Sequence, residues 1–138
     1  SKLYAHAGLL GAYLFSGQGN LLFRSEQLTA DSPVHKSAIS DDGNWIAYSA
    51  DHVQGKEILF LFDNNGQKLW GFSSSEDSTA RGVDISADGN YLALGTTAGH
   101  IYLFSKNSDK PLWKFTDSGQ FELTIFSMLG KQNWLRKQ

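Results

Sequence analysis

Apolar residues in the central part of the chain recur at every second position. Val83 and Ile85 alternate with polar residues, and after a short polar interval Tyr91 and Ala93 do the same. This is the period of a β-strand, in which successive side chains point to opposite faces. Since no window carries a sustained apolar stripe at helical spacing, the pattern predicts an all-β domain in which helices are minor or absent.

Turn signals separate these apolar runs. Asp-Gly pairs at 42–43 and 88–89 each lie between two runs. Such a pair favours a β-hairpin because glycine readily takes the positive φ that tight turns between strands require. The polar clusters "DNNG" at 63–66 and "SKNSDK" at 105–110 predict further turns. The chain is therefore expected to consist of short strands joined by turns.

The hairpins belong to an internal repeat. A shift of about 46 residues carries Asp42 onto Asp88 and Ile39 onto Ile85. Downstream, "EILFLFDNNGQKLWGF" matches "GHIYLFSKNSDKPLWKF" with one gap, and upstream "GAYLFSGQGNLLFR" fits the same template. The same unit is therefore present more than twice.

The repeat carries a family resemblance. "ISADGNYLALGTTAGHIYLF" resembles the WD40-like and YVTN-type β-propeller repeat, and "GHIYLFSKNSDKPLWKF" resembles the blade of PQQ-type quinoproteins. The resemblance implies a β-propeller of four-stranded antiparallel blades, about three per chain. Propellers serve mostly as binding scaffolds and only sometimes as enzymes, so the resemblance is specific for architecture and not for activity.

Four strands, A to D, can be assigned to each repeat within one partial propeller domain over residues 1–138. In one unit they are A at Arg81–Ser86, B at Tyr91–Thr96, C at His100–Ser105 and D at Pro111–Thr116. The expected blades lie at about 2–25 (strands B to D), 35–73 and 81–116, followed by a lone A strand at 120–127 and the beginning of a B strand at Trp134.

The two ends of the chain look complementary, because the first blade lacks an A strand and the last segment supplies one. A repeat unit cannot bury its apolar face alone, so three blades need further blades beside them. Two interpretations stay open at this point. Two copies assemble head to tail into a six-bladed ring, or the chain is a fragment of a larger propeller whose other blades cover these faces.

Composition and charge limit the kinds of site and partner that this chain is expected to have. The absence of cysteine excludes disulfides and thiolate metal sites, and a net charge of −2 gives no electrostatic footprint for nucleic acid. The uncharged stretch from Leu3 to Phe23 is long enough for a membrane span, but "SGQGN" interrupts it with turn residues, which predicts two strands and a turn instead. We therefore expect neither a nucleic-acid partner nor a membrane span, while the cell compartment stays open.

No catalytic or metal-binding motif stands out. The four histidines, at positions 6, 35, 52 and 100, lack the short spacing of a zinc pair and are expected on surfaces or blade faces. Ser40, Ser86 and Ser127 recur at the end of strand A, where a turn hydrogen bond is the simplest role. Phe23, Trp70 and Trp113 repeat at one blade position and are expected to pack between blades. The sequence predicts no catalytic residue, no metal and no cofactor.

One recurrence favours a binding surface. Asp-Ser pairs at 31–32, 77–78 and 117–118 each fall in a loop from strand D to the next strand A, and hence on one rim of the propeller. Under this interpretation a partner contacts Asp31, Asp77, Arg81 and Asp117. The alternative is that each Asp-Ser pair simply turns the chain through hydrogen bonds from its side chains to the backbone.

Two functional classes follow. The favoured one is a non-enzymatic propeller scaffold for protein-protein interaction or envelope-associated structure, because no set of acids, bases or metal ligands converges in the pattern. The alternative is a fragment of a quinoprotein-like dehydrogenase or another propeller enzyme whose catalytic residues lie elsewhere. A bound quinone, or a deep pocket with converging polar groups, would favour the alternative.

Overall fold

The computed structural model describes residues 3–8, 11–25, 33–51, 56–116, 123–125 and 135–137. Over these ranges the secondary structure consists of strands and turns, without helix. The strands are β1 (Leu3–Gly8), β2 (Gly11–Ser16), β3 (Leu21–Ser25), β4 (Val34–Ile39), β5 (Trp45–Ala50), β6 (Glu57–Asp63), β7 (Lys68–Ser73), β8 (Ala80–Ile85), β9 (Tyr91–Thr96), β10 (His100–Ser105), β11 (Trp113–Thr116), β12 (Leu123–Ile125) and β13 (Leu135–Lys137).

Antiparallel pairing between chain neighbours builds every sheet of the described residues. β4-β5-β6-β7 and β8-β9-β10-β11 form two four-stranded sheets, which we call blades 2 and 3. β1-β2-β3 form a three-stranded sheet, blade 1, and β12 pairs with β13. The predicted fold class, an all-β propeller with about three blades in the chain, is confirmed by this arrangement together with the structural comparisons reported below.

The Asp-Gly hairpins form as predicted, and the recurring serines close them. Ser40 Oγ donates to Asp42 Oδ1 at 2.6 Å and accepts the backbone N–H of Trp45 at 3.1 Å. Ser86 makes the same pair of bonds with Asp88 and the Tyr91 N–H. The prediction of a turn hydrogen bond is thus confirmed at both positions, while Ser127 lies outside the described residues.

Apolar side chains fill the space between successive blades. Between blades 1 and 2 the core contains Leu14, Tyr48 and Phe62, and between blades 2 and 3 it contains Leu61, Leu94 and Phe104. Since alternate residues of each central strand face opposite neighbours, blade 2 contributes to both cores. Strands β5 and β6 are accordingly buried on both faces.

Aromatic residues of strand D bridge each blade to the next. The Phe23 ring stacks on that of Phe62 with centroids 5.7 Å apart. The Trp70 ring lies 5.5 Å from that of Phe104, and its Nε1–H donates to the Lys106 carbonyl at 2.7 Å. The expected packing of Phe23 and Trp70 between blades is what the structure shows.

Contacts between strands place the incomplete sheets. β5, the B strand of blade 2, lies against β8, the A strand of blade 3. β1 lies against β4, the A strand of blade 2, in the same way, so β1 occupies the position of a B strand. β12 lies against β8 and β9, which is the position of the next A strand. β12 lies within the A strand predicted at 120–127. β13 begins one residue after the B-strand start predicted at Trp134, and it pairs with β12.

The stretch that resembled a membrane span forms strands. β1, β2 and the first residues of β3 cover its described part, and residues 17–20 make the turn between the last two of these strands. Over the described residues, no helix is long and apolar enough to cross a membrane.

Candidate functional site

The most highly organised polar cluster of the described residues surrounds Asp77 in blade 3. The Asp77 side chain is fully buried. Its Oδ1 accepts from Thr96 Oγ1 at 2.6 Å and its Oδ2 from the Tyr102 hydroxyl at 2.7 Å. Ser74 Oγ donates to Oδ2 at 2.9 Å, and Nδ1 of His100 lies 2.9 Å from Oδ1. One carboxylate therefore gathers four side chains, three from strands β9 and β10 and one from the loop after β7. We call these five residues the Asp77 cluster.

Local structure positions each member of the Asp77 cluster. After β7 ends, Ser74 Oγ accepts the backbone N–H groups of Glu76 and Asp77, both at 3.1 Å, which turns the loop back toward the sheet. At the other side Thr96 Oγ1 accepts the His100 N–H at 3.2 Å and shapes the turn between β9 and β10. The cluster therefore ties the loop before β8 to the hairpin of the same blade.

Opposing effects set the charge of Asp77. Burial by itself raises the pKa of this carboxyl group. The hydrogen bonds that it accepts from Thr96 and Tyr102, and then from Ser74 and His100, outweigh burial and hold the pKa below its ordinary value of 3.8. Asp77 is therefore a buried carboxylate at neutral pH, stabilised by its donors.

The pKa of the Tyr102 hydroxyl group is shifted in the opposite direction. Burial, the hydrogen bond to Asp77 and the nearby negative charge of that carboxylate raise the pKa of its hydroxyl group. The hydroxyl stays protonated and acts as a donor. Its ring packs against Phe72 of blade 2, with centroids 5.0 Å apart, so the polar cluster adjoins the core between blades 2 and 3.

The Asp77 cluster contains an acid, an imidazole and three hydroxyl groups, two of them on Ser74 and Thr96, and these are the residue types of a nucleophilic triad. In a triad the hydroxyl group bonds to the imidazole, which removes its proton. Here the hydroxyl groups of Ser74 and Thr96 both donate to the carboxylate. The other imidazole nitrogen of His100, Nε2, lies 3.7 Å from a Glu76 carboxylate oxygen. The arrangement is that of a structural polar network.

A surface ion pair continues the Asp77 cluster outward. Lys114 Nζ, on β11, lies 2.9 Å from Glu76 Oε2 and 5.7 Å from the centroid of the Tyr102 ring. The Glu76 side chain is largely exposed, so this pair adds little to stability. It connects the outermost strand of blade 3 to the loop that precedes the blade.

Of the four residues predicted to form a rim surface, the structure describes two, Asp77 and Arg81. Asp77 lies inside the blade, only 1% exposed, and its oxygens are used by the cluster. This corrects its predicted role as a surface contact, because a partner cannot reach a carboxylate that four internal donors surround. Arg81 is exposed at the beginning of β8. Asp31 and Asp117 lie outside the described residues.

The histidines also differ from expectation at one position. His100 was expected on a surface or blade face, and it is buried against Asp77. A signal for this was present in the repeat, since Thr96 and Tyr102 carry hydroxyl groups where blade 2 has Ala50 and Phe60. His6 is exposed, Nε2 of His35 lies 2.5 Å from a carboxylate oxygen of Asp51, and His52 lies outside the described residues. Among the described residues, no group of three or more acids and histidines could hold a metal ion.

Comparison with known proteins identifies the repeat. A family model described as the anaphase-promoting complex subunit 4 WD40 domain matches residues 40–129. The match supports the WD40-type resemblance of the sequence, and the PQQ-type resemblance is not confirmed. A search of the curated proteins finds no match.

Solved structures with the same architecture are propellers. The structure of the Dos1 propeller is similar over 79% of this chain and 28% of its own, with a TM-score of 0.63 and 14% identity. KlHsv2, with loop 6CD replaced by a Gly-Ser linker, is similar over 85% of this chain and 40% of its own, with a TM-score of 0.65 and 19% identity. The chain thus spans less than half the length of either structure. As 503 chains match, the fold is widespread and assigns no function by itself.

Proposed function

This chain belongs to the family of the anaphase-promoting complex subunit 4 WD40 domain, and we propose that it is a non-enzymatic scaffold for protein-protein interaction. The observation that carries the proposal is how the polar groups are used. Ser74, Thr96, Tyr102 and His100 all bind the buried Asp77 carboxylate and leave no hydroxyl–imidazole pair in this cluster. The blade thus uses its most reactive side chains for its own architecture.

We place partner binding on the rim formed by the loops between strands D and A. Such loops are carried on a rigid scaffold, and they are where repeat proteins build binding surfaces. Arg81, exposed next to the loop before β8, is the contact that the structure supports. Asp31 and Asp117 belong to the same proposal through the sequence repeat. Asp77 contributes by holding its loop in place.

Capture of partners from a native extract tests this proposal. The chain is immobilised, and bound proteins are quantified by mass spectrometry for the wild type, for Arg81→Glu and for Lys110→Glu. Lys110 is exposed in the turn after β10, at the opposite rim of the same blade, so its variant makes the same charge change away from the proposed surface. Circular dichroism checks that all three fold.

We expect one set of proteins to bind the wild type and Lys110→Glu and to be depleted with Arg81→Glu, about tenfold or more, as for loss of a charged contact at an interface. Equal capture by both variants would place binding elsewhere than this rim. If the wild type enriches nothing over an unrelated propeller, the scaffold proposal itself fails.

A further inference from the structure

We propose that Asn65 is a site of spontaneous deamidation, at which the folded chain converts an asparagine into aspartate and isoaspartate without an enzyme. Asn65 and Gly66 form an Asn-Gly pair in the turn between β6 and β7 of blade 2. Asn65 is exposed, and Gly66 has a φ of +87°. Asparagine is a thermolabile residue, and a following glycine has no Cβ to hinder the approach of its backbone nitrogen to the asparagine side chain.

The reaction needs only these two residues and water. The backbone nitrogen of Gly66 loses its proton and attacks Cγ of Asn65, the bond from Cγ to the amide nitrogen breaks, and ammonia leaves with a proton in place of the one lost. The product is a cyclic succinimide. Water then opens the ring at its side-chain carbonyl, which gives aspartate, or at its backbone carbonyl, which gives isoaspartate. The backbone of isoaspartate runs through Cγ and is longer by one carbon atom.

The carboxylate of Asp63, rather than the amide of Asn65, closes this turn. Asp63 Oδ1 accepts the backbone N–H groups of Asn65 and Gln67, both at 2.9 Å. The attacking nitrogen, that of Gly66, donates to the Asp63 carbonyl at 3.2 Å, which is the long end of the hydrogen-bond range. The turn therefore keeps its shape through Asp63 and presents the Asn65 amide to solvent.

The two Asp-Gly turns are protected against the equivalent reaction. Asp42 accepts from Ser40 Oγ at 2.6 Å and Asp88 accepts from Ser86 Oγ at 2.6 Å. These serine hydrogen bonds are the largest cause of the lowered pKa of both carboxyl groups. Each carboxyl group is therefore ionised at neutral pH, and a carboxylate resists attack because of its negative charge. The turn-closing residue stands directly before the glycine here, whereas Asp63 stands three positions before Gly66.

Other asparagines in turns provide a comparison within the chain. Asn44 and Asn90 are exposed, as Asn65 is, but a bulky aromatic residue follows each of them. Asn44 Oδ1 also accepts from Asn64 Nδ2 at 3.3 Å, and Asn90 Nδ2 donates to Asp88 Oδ2 at 3.0 Å. Their side chains are thus held in place, and their backbone neighbours are hindered. We expect both to react more slowly than Asn65.

Isoaspartate in this turn would act on the contact between blades 1 and 2. A Cβ added to Gly66 would lie 2.9 Å from Cγ of Phe23, so the turn lies directly against strand D of blade 1. The Phe23 ring also stacks on that of Phe62, in the core between the two blades. The backbone bond from the Asp63 N–H to the Gln67 carbonyl, at 2.9 Å, spans the modified linkage. A backbone lengthened within this span displaces the turn from Phe23 and weakens the contact between the blades.

Prolonged incubation of the purified chain at mildly alkaline pH tests the proposal, with Asn65→Gln and Asn44→Gln as matched variants. Glutamine keeps the uncharged amide, but its additional methylene group requires a larger ring that forms more slowly. Peptide mapping by mass spectrometry locates each conversion by the mass difference between amide and acid, and fragment ions distinguish isoaspartate from aspartate. Circular dichroism verifies that both variants fold, since both positions are exposed.

We expect Asn65 to convert about tenfold or more faster than Asn44 and Asn90, with isoaspartate in excess over aspartate. Asn65→Gln should abolish conversion at its position, whereas Asn44→Gln should leave the rate at Asn65 unchanged. The aged wild type should unfold at a lower urea concentration than the fresh protein. Fresh Asn65→Asp should unfold close to the fresh wild type, because aspartate keeps the normal backbone.

An Asn65 that stays intact in the folded chain but converts in the urea-unfolded chain would overturn the proposal, since the folded turn would then protect it. Equal rates at Asn65, Asn44 and Asn90 would overturn it as well, because neither the glycine nor the turn would then select the site. An isoaspartate-rich sample that unfolds like the fresh chain would refute the effect on the contact between blades 1 and 2.

Discussion

Removal of the Asp77 carboxylate is the sharpest test of the buried cluster. The Asp77→Ala variant leaves four donors without their acceptor in the interior of blade 3. The Asp77→Asn variant keeps the shape and one oxygen, but its amide group turns a donor toward other donors. Both changes act on a group whose side chain is fully buried, so neither variant can recover its interactions by simple exposure to water.

The expected loss in the free energy of unfolding follows from the number of hydrogen bonds that Asp77 accepts. A hydrogen bond to a charged group contributes about 1.5–3 kcal/mol, so four of them set an upper limit of about 6–12 kcal/mol. Water entering the vacated space lowers this cost, because the His100 side chain is still 10% exposed. We expect Asp77→Ala to reduce the free energy of unfolding by about 3–5 kcal/mol, as for a broken buried pair, and Asp77→Asn by about 2–3 kcal/mol.

Urea unfolding followed by circular dichroism measures these differences at neutral pH. Asp109→Ala is the matched control, because Asp109 is exposed in the turn after β10 and its loss should change the free energy of unfolding by less than about 0.5 kcal/mol. A reduction for Asp77→Ala that is no larger than that of the control would refute the reasoning, since the cluster would then contribute nothing net to folding.

The pH dependence provides a second readout of the same cluster. The pKa of Asp77 in the folded chain lies below its ordinary value of 3.8. Its contribution to stability is therefore fully present above the ordinary pKa and is lost as the pH falls through the lower pKa of the folded state. The difference in free energy of unfolding between wild type and Asp77→Asn should be constant near neutrality and shrink in acid below 3.8. A difference that grows in acid would contradict the assignment of a buried carboxylate.

Two further predictions concern the turns and the contacts between blades, and urea unfolding checks both. Gly89 has a φ of +75°, and a Cβ there would lie 2.4 Å from Trp45 Cδ1, so Gly89→Ala should cost about 2–4 kcal/mol. Gly19→Ala, with a φ of +85° and nothing within 4 Å, should cost only about 1 kcal/mol, and equal losses would contradict the role of the contact. Trp70→Ala removes a ring and a hydrogen bond between blades and should cost about 3–5 kcal/mol. Leu69→Ala, at a neighbouring exposed position, should cost less than about 1 kcal/mol, and a similar loss for both would show that the ring does not hold the blades together.

Prediction from the sequence succeeded where the determining interactions are local. The Asp-Gly turns, with their glycines at φ of +73° and +75°, depend on a few consecutive residues, and the serine before each turn closes it. Alternation of apolar residues then sets which side chains face a neighbouring blade. Because these turn and alternation signals recur in more than one repeat, they were sufficient to predict the fold class.

The Asp77 cluster could not be obtained in this way. The repeat indicated that Asp-Ser pairs share one kind of loop, and this favoured a shared surface. In the structure Asp77 turns inward to side chains that follow it by 19 to 25 positions in the sequence. Which way the carboxylate points depends on whether enough donors converge on it, and among blades 1 to 3 only blade 3 has hydroxyl groups at both strand positions, those of Thr96 and Tyr102.

The order of polar and apolar residues thus determined by itself that the chain forms antiparallel hairpins and that these repeat as blades, because strand period and turn chemistry act over a few residues. Only the tertiary structure decided that Asp77 is internal, and that the side chains of Thr96, His100 and Tyr102 turn toward it. Both outcomes depend on which side chains meet after the chain has folded back on itself, and the spacing of residues along the chain does not contain that information.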